Sequence, residues 1–360
     1  MKINLVMIVK NEERCLKKCL EAAKPLVDEI IIADTGSTDR TAEIAREMGA
    51  TVLDFPWVND FSAARNFALD HSDADWNLVL DADEYLRPCR RKLLENILNV
   101  KTNMCFGGIT RYDSYRDDEG ISQSTSILPR LLPRGVRYVG IIHEQPDGMY
   151  ECCPVPLAAD HDGYLYEDKG ERNLPYLLKI VEDNPRDQYY QFQLASTFRN
   201  LKRLEESLFH FRRFYDLVGR YESYRAGGVV LYLYTLLDIG TIECLDEAAE
   251  IINREDKNMG NWSDFCFVCG IFYMKRVLSN VERYISLLPN IEQSYLKCLS
   301  IGEHPELGGV VGTGSFKAAY NLGAWYEVSG QMELAAKYYR LAAKSNYKPA
   351  EKRLKVIENT

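Results

Sequence analysis

The first 80 residues alternate apolar runs with segments whose apolar residues recur at helical spacing. Residues 2–9 are almost entirely apolar, which predicts a buried strand, and residues 11–23 have the spacing of an amphipathic helix. The alternation continues with strands predicted at 29–33, 51–55 and 76–80 and helices predicted at 40–48 and 62–70. This pattern predicts the nucleotide-binding half of a doubly wound α/β domain with a mainly parallel sheet.

The strand predicted at 76–80 runs directly into three acids, Asp81, Asp83 and Glu84. Carboxylates crowded at one strand end repel each other and lose hydration, so a fold accommodates them where a cation or a cationic substrate compensates. An isolated Asp-x-Asp is more often a solvated turn. The interpretation as a metal site therefore depends on the neighbouring motifs.

Other polar motifs lie just beyond predicted strands or in predicted helices. Asn11 and Glu12 follow the first strand, Asp34 follows the second, and Arg65 lies in the helix before the acidic strand. In open α/β sheets, ligands bind at the carboxyl ends of the strands, so we expect these side chains to converge. Together they predict a site for a sugar linked to a nucleoside diphosphate.

The middle of the chain has a different character. Between about 100 and 170, strand-like runs at 105–112, 126–132 and 136–142 alternate with Gly, Pro and Asp. They predict antiparallel strands that extend the sheet. Beyond Lys169 the pattern is helical, so we predict an α/β domain at 1–168 and a helical domain at 169–360.

The helical part contains internal repeats. Residues 320–342 have the small and aromatic residues of a tetratricopeptide repeat at the expected offsets, namely Leu322, Gly323, Tyr326, Ala335, Tyr339 and Ala342. Residues 190–218 repeat the pattern more loosely, and degenerate copies are predicted around 230–255 and 265–300. Most of these aromatic residues are expected to fill the core between paired helices.

Charge and cysteine content limit the partners and the compartment. A formal net charge of −9 argues against nucleic acid as a partner. Ten cysteines with no secretory signal before them favour a reduced, cytoplasmic setting, and Cys266 and Cys269 are interpreted as core thiols rather than zinc ligands. The longest apolar stretch, 229–237, is too short to cross a bilayer, so no membrane span is predicted.

Four motifs in order resemble family 2 glycosyltransferases of the GT-A fold over roughly residues 1–165. They are Met7-Ile-Val-Lys-Asn-Glu-Glu, Ala33-Asp-Thr-Gly-Ser-Thr-Asp-Arg-Thr, Asn59-Asp-Phe-Ser-Ala-Ala-Arg-Asn and Leu80-Asp-Ala-Asp-Glu. With the repeats, the chain is similar to the subgroup that contains peptide S-glycosyltransferases acting on bacteriocin precursors. The resemblance implies an α/β GT-A domain followed by an all-α tetratricopeptide-repeat-like domain, and an inverting hexosyl transfer that depends on Mn²⁺ or Mg²⁺.

The resemblance also implies roles for the acids in binding a UDP-sugar. Asp34 would accept a hydrogen bond from the base, with a backbone-capping turn residue as the alternative. Asp81 would contact the ribose or the metal indirectly, and Asp83 would coordinate the metal directly. Arg65 would contact the nucleotide base or a phosphate, and the alternative is a purely structural ion pair.

Other polar residues are assigned less directly. Asn11 and Glu12 are placed with the donor. His161 is expected to be an additional metal ligand, with a capping or packing role as the alternative. Arg130 and Arg134 are expected either to contact the diphosphate or to lie in a solvated loop.

An inverting transfer needs a base for the acceptor's proton. Gly140-Ile-Ile-His-Glu144 is interpreted as a strand end, with Glu144 as the first candidate and His143 as the second. Adjacent residues on a strand point to opposite faces, so both cannot face the reacting centre unless the strand has ended.

Several functions remain open from the sequence. The first is transfer of a sugar to a peptide or protein side chain, with the repeats holding the acceptor or pairing two copies of the chain. Alternatives are transfer to a cell-surface or lipid-linked glycan, and a non-catalytic repeat scaffold. A nucleotidyltransferase would be expected to have a Gly-rich basic loop after the first strand, where this chain has Lys10-Asn-Glu-Glu.

Overall fold

The computed structural model describes residues 1–100, 105–117, 120–148, 151–166 and 170–358. The chain divides into two compact units. The N-terminal unit comprises Met1–Asp168 and Pro305–Gly308, and the C-terminal unit comprises Lys169–His304 and Gly309–Thr360. The domain boundary predicted between residues 168 and 169 lies outside the described residues.

The N-terminal unit alternates strands and helices over its first half and is rich in strands over its second half. Its strands are β1 Ile3–Val9, β2 Glu29–Asp34, β3 Thr51–Asp54, β4 Trp76–Val79, β5 Glu84–Leu86, β6 Cys105–Asp117, β7 Gly120–Pro133, β8 Tyr138–Val139, β9 Gln145–Pro146 and β10 Glu151–His161. Its α-helices are α1 Leu16–Ala23, α2 Thr41–Glu47, α3 Phe61–Asp70 and α4 Arg91–Val100.

The main sheet of this unit is mixed. Its strands lie in the order β3-β2-β1-β4-β7-β6-β10-β5. The pairs β2–β3, β1–β2, β1–β4 and β6–β10 are parallel, whereas β4–β7, β6–β7 and β5–β10 are antiparallel. The sheet therefore confirms the predicted GT-A class, in which antiparallel strands extend a parallel nucleotide-binding half.

Strand β1 is apolar throughout because both of its faces are covered. Ile3, Leu5 and Met7 belong to a core that also contains residues of α1 and α4. Val6 points the other way, into a second core that includes Ala68 and Leu69 of α3. Burial on both faces gives a continuous apolar run rather than an alternating one.

The strand predicted at 136–142 is much shorter in the structure. Only Tyr138 and Val139 are extended, and they pair with Pro146 and Gln145 in a small separate hairpin. The backbone then bends, with φ of 95° at Gly140 and 49° at His143. Left-handed conformations interrupt the strand pleat, so residues 140–144 form a connection and the prediction of a strand end there was wrong.

The C-terminal unit is built mainly from antiparallel helix pairs. Its helices are α5 Gly170–Asp183, α6 Gln188–Asn200, α7 Leu204–Leu217, α8 Arg225–Ile239, α9 Ile242–Met259, α10 Ser263–Ser279, α11 Val281–Tyr284, α12 Leu288–Ile301, α13 Phe316–Val328, α14 Met332–Ala343 and α15 Lys348–Glu358, and a two-residue strand spans Gly309–Val310. Among the described residues, none of the helices has both the length and the apolar character of a bilayer span.

Small residues let the paired helices approach closely. A Cβ at Gly323 of α13 would lie 2.8 Å from the Tyr339 ring of α14, and one at Gly228 of α8 would overlap the Phe214 ring of α7. Tyr339 and Phe214 are buried, so they cannot move aside. The predicted repeat positions therefore lie where the helices cross, and the tetratricopeptide-repeat-like class is confirmed.

Candidate functional site

Asp34 and Asn11 organise the turn that follows β2. The Oδ1 atom of Asp34 accepts hydrogen bonds from the backbone N–H groups of Gly36 (3.2 Å) and Ser37 (2.8 Å). Asn11, at φ 56°, accepts from the N–H of Thr38 at 2.8 Å. Both residues therefore shape the loop at the carboxyl ends of β1 and β2, and their contact with a donor stays a prediction.

Glu12 also ties neighbouring elements together. Its backbone N–H donates to Thr41 Oγ1 at 2.7 Å, and its Oε2 atom accepts from the Cys15 thiol at 3.1 Å. Burial and the neighbouring Glu12 carboxylate raise the pKa of Cys15. These contacts anchor the N-terminal end of α1, and a donor contact by Glu12 stays a prediction.

Asp81 lies in the turn between β4 and β5, between two arginines. Its Oδ1 atom accepts from Arg65 Nη2 at 2.7 Å, and its Oδ2 atom accepts from Arg130 Nη2 at 2.5 Å. Burial raises the pKa of Asp81, but the two guanidinium groups outweigh it and hold this pKa well below its ordinary value. Asp81 is therefore ionised, and the structure places Arg65 and Arg130 together beside it.

Glu84 is fully buried at the start of β5 and holds the arginines in place. Its Oε1 atom accepts from Arg130 at 2.5 Å and from Arg111 at 3.2 Å. Its Oε2 atom accepts from the backbone N–H of Asp81 at 3.1 Å. Because both oxygens are engaged, Glu84 acts as an internal support rather than as a metal ligand.

Asp83 faces His161, the last residue of β10. The distance from Asp83 Oδ2 to His161 Nε2 is 3.3 Å, and the other ring nitrogen, Nδ1, lies 2.7 Å from Asp113 Oδ1. A Cβ at Gly163 would overlap Asp83 Oδ2 and lie 2.7 Å from His161 Nε2. Burial lowers the pKa of His161, but the hydrogen bonds to Asp113 and Asp83 outweigh it and raise this pKa to about 9.

These residues fit a divalent cation, although they do not enclose one. Among the described residues, no group of three or more His, Cys, Asp or Glu side chains is arranged to hold a metal. Asp83 Oδ2 and His161 Nε2 nevertheless place an oxygen and a nitrogen 3.3 Å apart, beside a glycine at position 163 where a Cβ would overlap them. A cation that keeps water or phosphate oxygens as its other ligands suits such a partial site.

Charge balance supports the same interpretation. Around the site, four cationic groups, three arginines and the His161 imidazolium, face five carboxylates. The arginines are Arg65, Arg111 and Arg130, and the carboxylates are Asp81, Asp83, Glu84, Asp113 and Glu144. The one carboxylate in excess favours a bound cation.

Arg65 links the acid turn to Glu144. Its Nε atom donates to Glu144 Oε1 at 2.5 Å, while its Nη1 atom is buried without a hydrogen-bond partner among the described residues. Asn66 holds this part of α3 in place through reciprocal hydrogen bonds to the backbone of Tyr138, at 2.8 and 2.9 Å. Glu144 and the half-buried His143 thus lie in an irregular segment, so the argument from opposite strand faces does not apply to them.

One predicted residue lies elsewhere, and two others were not predicted. Arg134 donates to the backbone oxygen of Ala74 and pairs with Asp75 at 3.5 Å, so it braces the loop before β4. Arg111 and Asp113, two residues apart on β6, join the site through Glu84 and His161. Their i, i+2 spacing on a strand was the available signal, but the strand's partners are not visible in the sequence.

Comparison with known proteins identifies the N-terminal region. Residues 5–150 match the model of the glycosyl transferase family 2. The SPbeta prophage-derived glycosyltransferase SunS of Bacillus subtilis is 26% identical over 226 residues, which are 58% of this chain and 51% of that protein. A TPR repeat-containing protein of Synechococcus elongatus is 54% identical over 84 residues, 23% of this chain and 21% of that protein. The chain thus spans about half or less of these relatives.

Two solved structures are similar over parts of the chain. A crystal structure of MamA covers 52% of this chain and 99% of its own, with 17% identity and a TM-score of 0.38. Glucosyl-3-phosphoglycerate synthase of Mycobacterium tuberculosis, crystallised with Mn²⁺, uridine diphosphate and glucosyl-3-phosphoglycerate, covers 31% of this chain and 44% of its own, with 24% identity and a TM-score of 0.27. Residues 5–150 of this chain thus match the glycosyl transferase family 2, and the helical region that follows is built from TPR-like helix pairs.

Proposed function

We propose that this chain transfers a hexose from a UDP-sugar to a side chain of a peptide or protein, with inversion and with the help of Mn²⁺ or Mg²⁺. The observation that carries the proposal is the approach of Asp83 Oδ2 and His161 Nε2 beside Gly163, at the carboxyl edge of the sheet. A metal held there would stabilise the charge that develops on the departing diphosphate.

The donor side rests on Asp34 at the end of β2 and on a cluster in which Arg65 and Arg130 both bond to Asp81. Asp34 would accept from the uracil, and Asp81 would accept from the ribose. Arg130 and Arg65 lie beside Asp81. The Nη1 atom of Arg65 is buried without a hydrogen-bond partner among the described residues, so its N–H groups could donate to a phosphate oxygen. These groups orient the sugar so that the anomeric carbon faces the acceptor.

Transfer forms one bond and breaks another. The acceptor atom attacks the anomeric carbon while the bond from that carbon to the diphosphate oxygen breaks, and the diphosphate leaves with the electron pair. The acceptor's proton passes to Glu144, or to His143 if Glu144 remains paired. Glu144 is paired with Arg65 in the structure, so Glu144 would act as a base only once that ion pair opens.

The acceptor proposal draws on the helical unit and on the resemblance of the whole arrangement to enzymes that modify peptides. Stacked helix pairs offer an extended surface that suits a peptide. We also propose that the protein acts in the cytoplasm and that two copies of the chain can pair through the helical unit. Removing residues 185–360 should then reduce acceptor turnover while donor binding persists, and undiminished turnover would exclude the recruiting role.

Asp83→Asn tests the metal assignment. The variant should bind Mn²⁺ in the presence of UDP at least about 100-fold more weakly, because a direct ligand contributes more than the second-layer partners whose loss costs about 10- to 100-fold. Isothermal titration calorimetry measures the change. Asp160→Asn is the matched control, since it removes the same charge from the pair with Arg87, where both side chains are partly exposed. Equal affinity in the parent and Asp83→Asn would exclude Asp83 as a ligand.

Glu144→Gln tests the base. Donor binding should persist, while turnover should fall by about 100-fold or more, the usual contribution of a positioned general base. Mass spectrometry of candidate peptides, including Cys-containing ones, after incubation with a panel of sugar nucleotides measures transfer. Turnover of Glu144→Gln at the parental rate would exclude Glu144 as the general base and leave His143 as the candidate. Modification of glycans but not of peptides would show that the acceptor is a glycan.

A further inference from the structure

We propose that Asp113 is a positioning residue that holds the proton of His161 on Nδ1, so that the Nε2 lone pair would be available to a metal ion bound by Asp83. The inference rests on the metal-dependent function proposed above and extends it to a residue that no motif indicated. It follows from strand order, from the contacts of the Asp113 carboxylate and from the confinement of the imidazole ring.

Strand order brings three acidic side chains around His161. Strand β10 lies between β6 and β5, and in this register His161 is opposite Asp113 on one neighbour and Glu84 on the other. Asp83 comes one residue before Glu84. The parallel pairing with β6 therefore determines which carboxylate meets the Nδ1 side of the ring.

The Asp113 carboxylate is itself held in place. Only 5% of Asp113 is exposed. It pairs with Arg111 at 2.8 Å and accepts a hydrogen bond from Ser126 Oγ at 3.3 Å. An ionised carboxylate can only accept hydrogen bonds, so Nδ1 of His161, at 2.7 Å, must be the donor.

The opposite side of the ring is equally confined. Tyr164 packs its ring edge to face against His161, with centroids 4.8 Å apart and planes at 89°. At Gly163 even a methyl group would overlap Asp83 and crowd Nε2. The imidazole is therefore held with Nδ1 toward Asp113 and Nε2 toward Asp83.

In this arrangement one ring nitrogen of His161 would bind the metal, and the other would hold the ring in position. With a proton on Nδ1, the neutral ring has its lone pair on Nε2, which is the form that binds a metal. The carboxylate behind the ring increases the basicity of Nε2 and limits ring rotation, and loss of such a partner typically weakens metal binding about 10- to 100-fold. Asp113 thus contributes to metal affinity without touching the metal.

Mn²⁺ affinity in the presence of saturating UDP, measured by the loss of the free Mn²⁺ signal in electron paramagnetic resonance, tests the proposal. Asp113→Asn should bind Mn²⁺ about 10- to 100-fold more weakly. Asp160→Asn, one residue before His161 on β10 and paired with the partly exposed Arg87, should stay within about twofold of the parent. Equal affinity of Asp113→Asn and the parent would overturn the positioning role while leaving metal binding intact. A parent that binds no Mn²⁺ with UDP would instead overturn the proposed metal dependence, and this inference with it.

A second measurement needs no variant and is unaffected if Asp113→Asn fails to fold. Nitrogen-15 NMR of the imidazoles, in the parent with Mg²⁺ and UDP, should show His161 with a proton on Nδ1 and none on Nε2. The opposite tautomer in that complex would overturn the proposal. A purely structural role for Asp113 predicts no particular tautomer.

Discussion

His161 in the N-terminal unit and His210 in the C-terminal unit are both buried, yet they differ in charge. His161 lies between Asp113 and Asp83, which raise its pKa to about 9 against the effect of burial. His210 bonds through Nδ1 to the uncharged Gln191 at 2.7 Å, and burial lowers its pKa to about 4. Near neutral pH and without metal, the first is a cation and the second is neutral.

The same contrast extends to carboxylates. In the C-terminal unit, the buried Glu255 has a guanidinium partner of its own in Arg225, which forms two hydrogen bonds with it. At the sheet edge of the N-terminal unit, carboxylates outnumber arginines, and Arg130 is shared between Asp81 and Glu84. Balanced pairs are consistent with a scaffold, whereas an unbalanced cluster is the arrangement expected where a cation or a charged substrate completes the site.

The largest effect should follow from changing the charge at Glu84. Glu84 is fully buried and accepts hydrogen bonds through both oxygens, from Arg130, Arg111 and the backbone N–H of Asp81. Glu84→Gln can accept through only one of its two terminal atoms, so it leaves buried donors without an acceptor and should destabilise the N-terminal unit by about 3–5 kcal/mol. Hydrogen exchange of peptides from β1, followed by mass spectrometry, reports the unfolding free energy of that unit alone.

Glu247→Gln is the matched change in the C-terminal unit. Glu247 pairs with Arg212, half of whose side chain is exposed, so the cost should be about 1 kcal/mol or less. Exchange in peptides from α8 measures it. Equal costs at Glu84 and Glu247 would contradict the distinction between the two kinds of charge cluster.

A smaller effect should appear as pH dependence at His210. Its folded pKa of about 4 lies below the ordinary value of 6.5, so its stabilising contribution is present above pH 6.5 and is lost as the pH falls through 4. The loss should reach about 3 kcal/mol, since each pH unit corresponds to about 1.4 kcal/mol. Besides burial, Arg213 lowers this pKa and Glu206 raises it.

The free energy of unfolding of the parent, minus that of His210→Gln, isolates this contribution. The difference should fall steadily between pH 6.5 and 4 and should be constant above pH 7. Urea unfolding monitored by hydrogen exchange in α7 peptides measures it. A difference that does not change with pH would show that His210 is not held neutral by burial.

The smallest effect concerns packing in the C-terminal unit. Gly228→Ala should destabilise it by about 1–3 kcal/mol, because the added methyl group overlaps the buried Phe214 ring. Gly227→Ala, one residue earlier in the same helix, has nothing within 4 Å of its Cβ and should stabilise by about 0.5–1 kcal/mol. Thermal unfolding compares the two, and shifts of the same sign would contradict close helix packing at Gly228.

Much of the fold follows from local patterns. The strand predicted at 76–80 corresponds to Trp76–Val79, and the helix at 62–70 to Phe61–Asp70, because apolar periodicity reports the face that a segment buries. The helix predicted from residue 11 begins only at Leu16, after a turn organised by Glu12. The strand predicted at 136–142 ends at Val139 because the backbone at Gly140 has a positive φ, which has no periodic signal in the sequence.

The sequence indicated which acidic residues lie at the candidate site, but it gave less information on which residues form ion pairs there. Asp81 and Asp83 could be located because they follow a strand at the edge where ligands bind. Asp113 could not, because its importance depends on a register with β10 that no short-range pattern encodes. The same holds for Arg111, which reaches the site through Glu84.

The sequence by itself determined which segments are strands and helices, and hence which polar residues stand at strand ends. Only the tertiary structure decided which charges meet: Arg65 with Glu144 across 79 residues, Arg130 with Glu84 across 46, and His161 with Asp113 across 48. The physical reason is the sequence separation over which each signal acts. Hydrophobic periodicity acts over one or two turns of chain, whereas ion pairs depend on strand order and register.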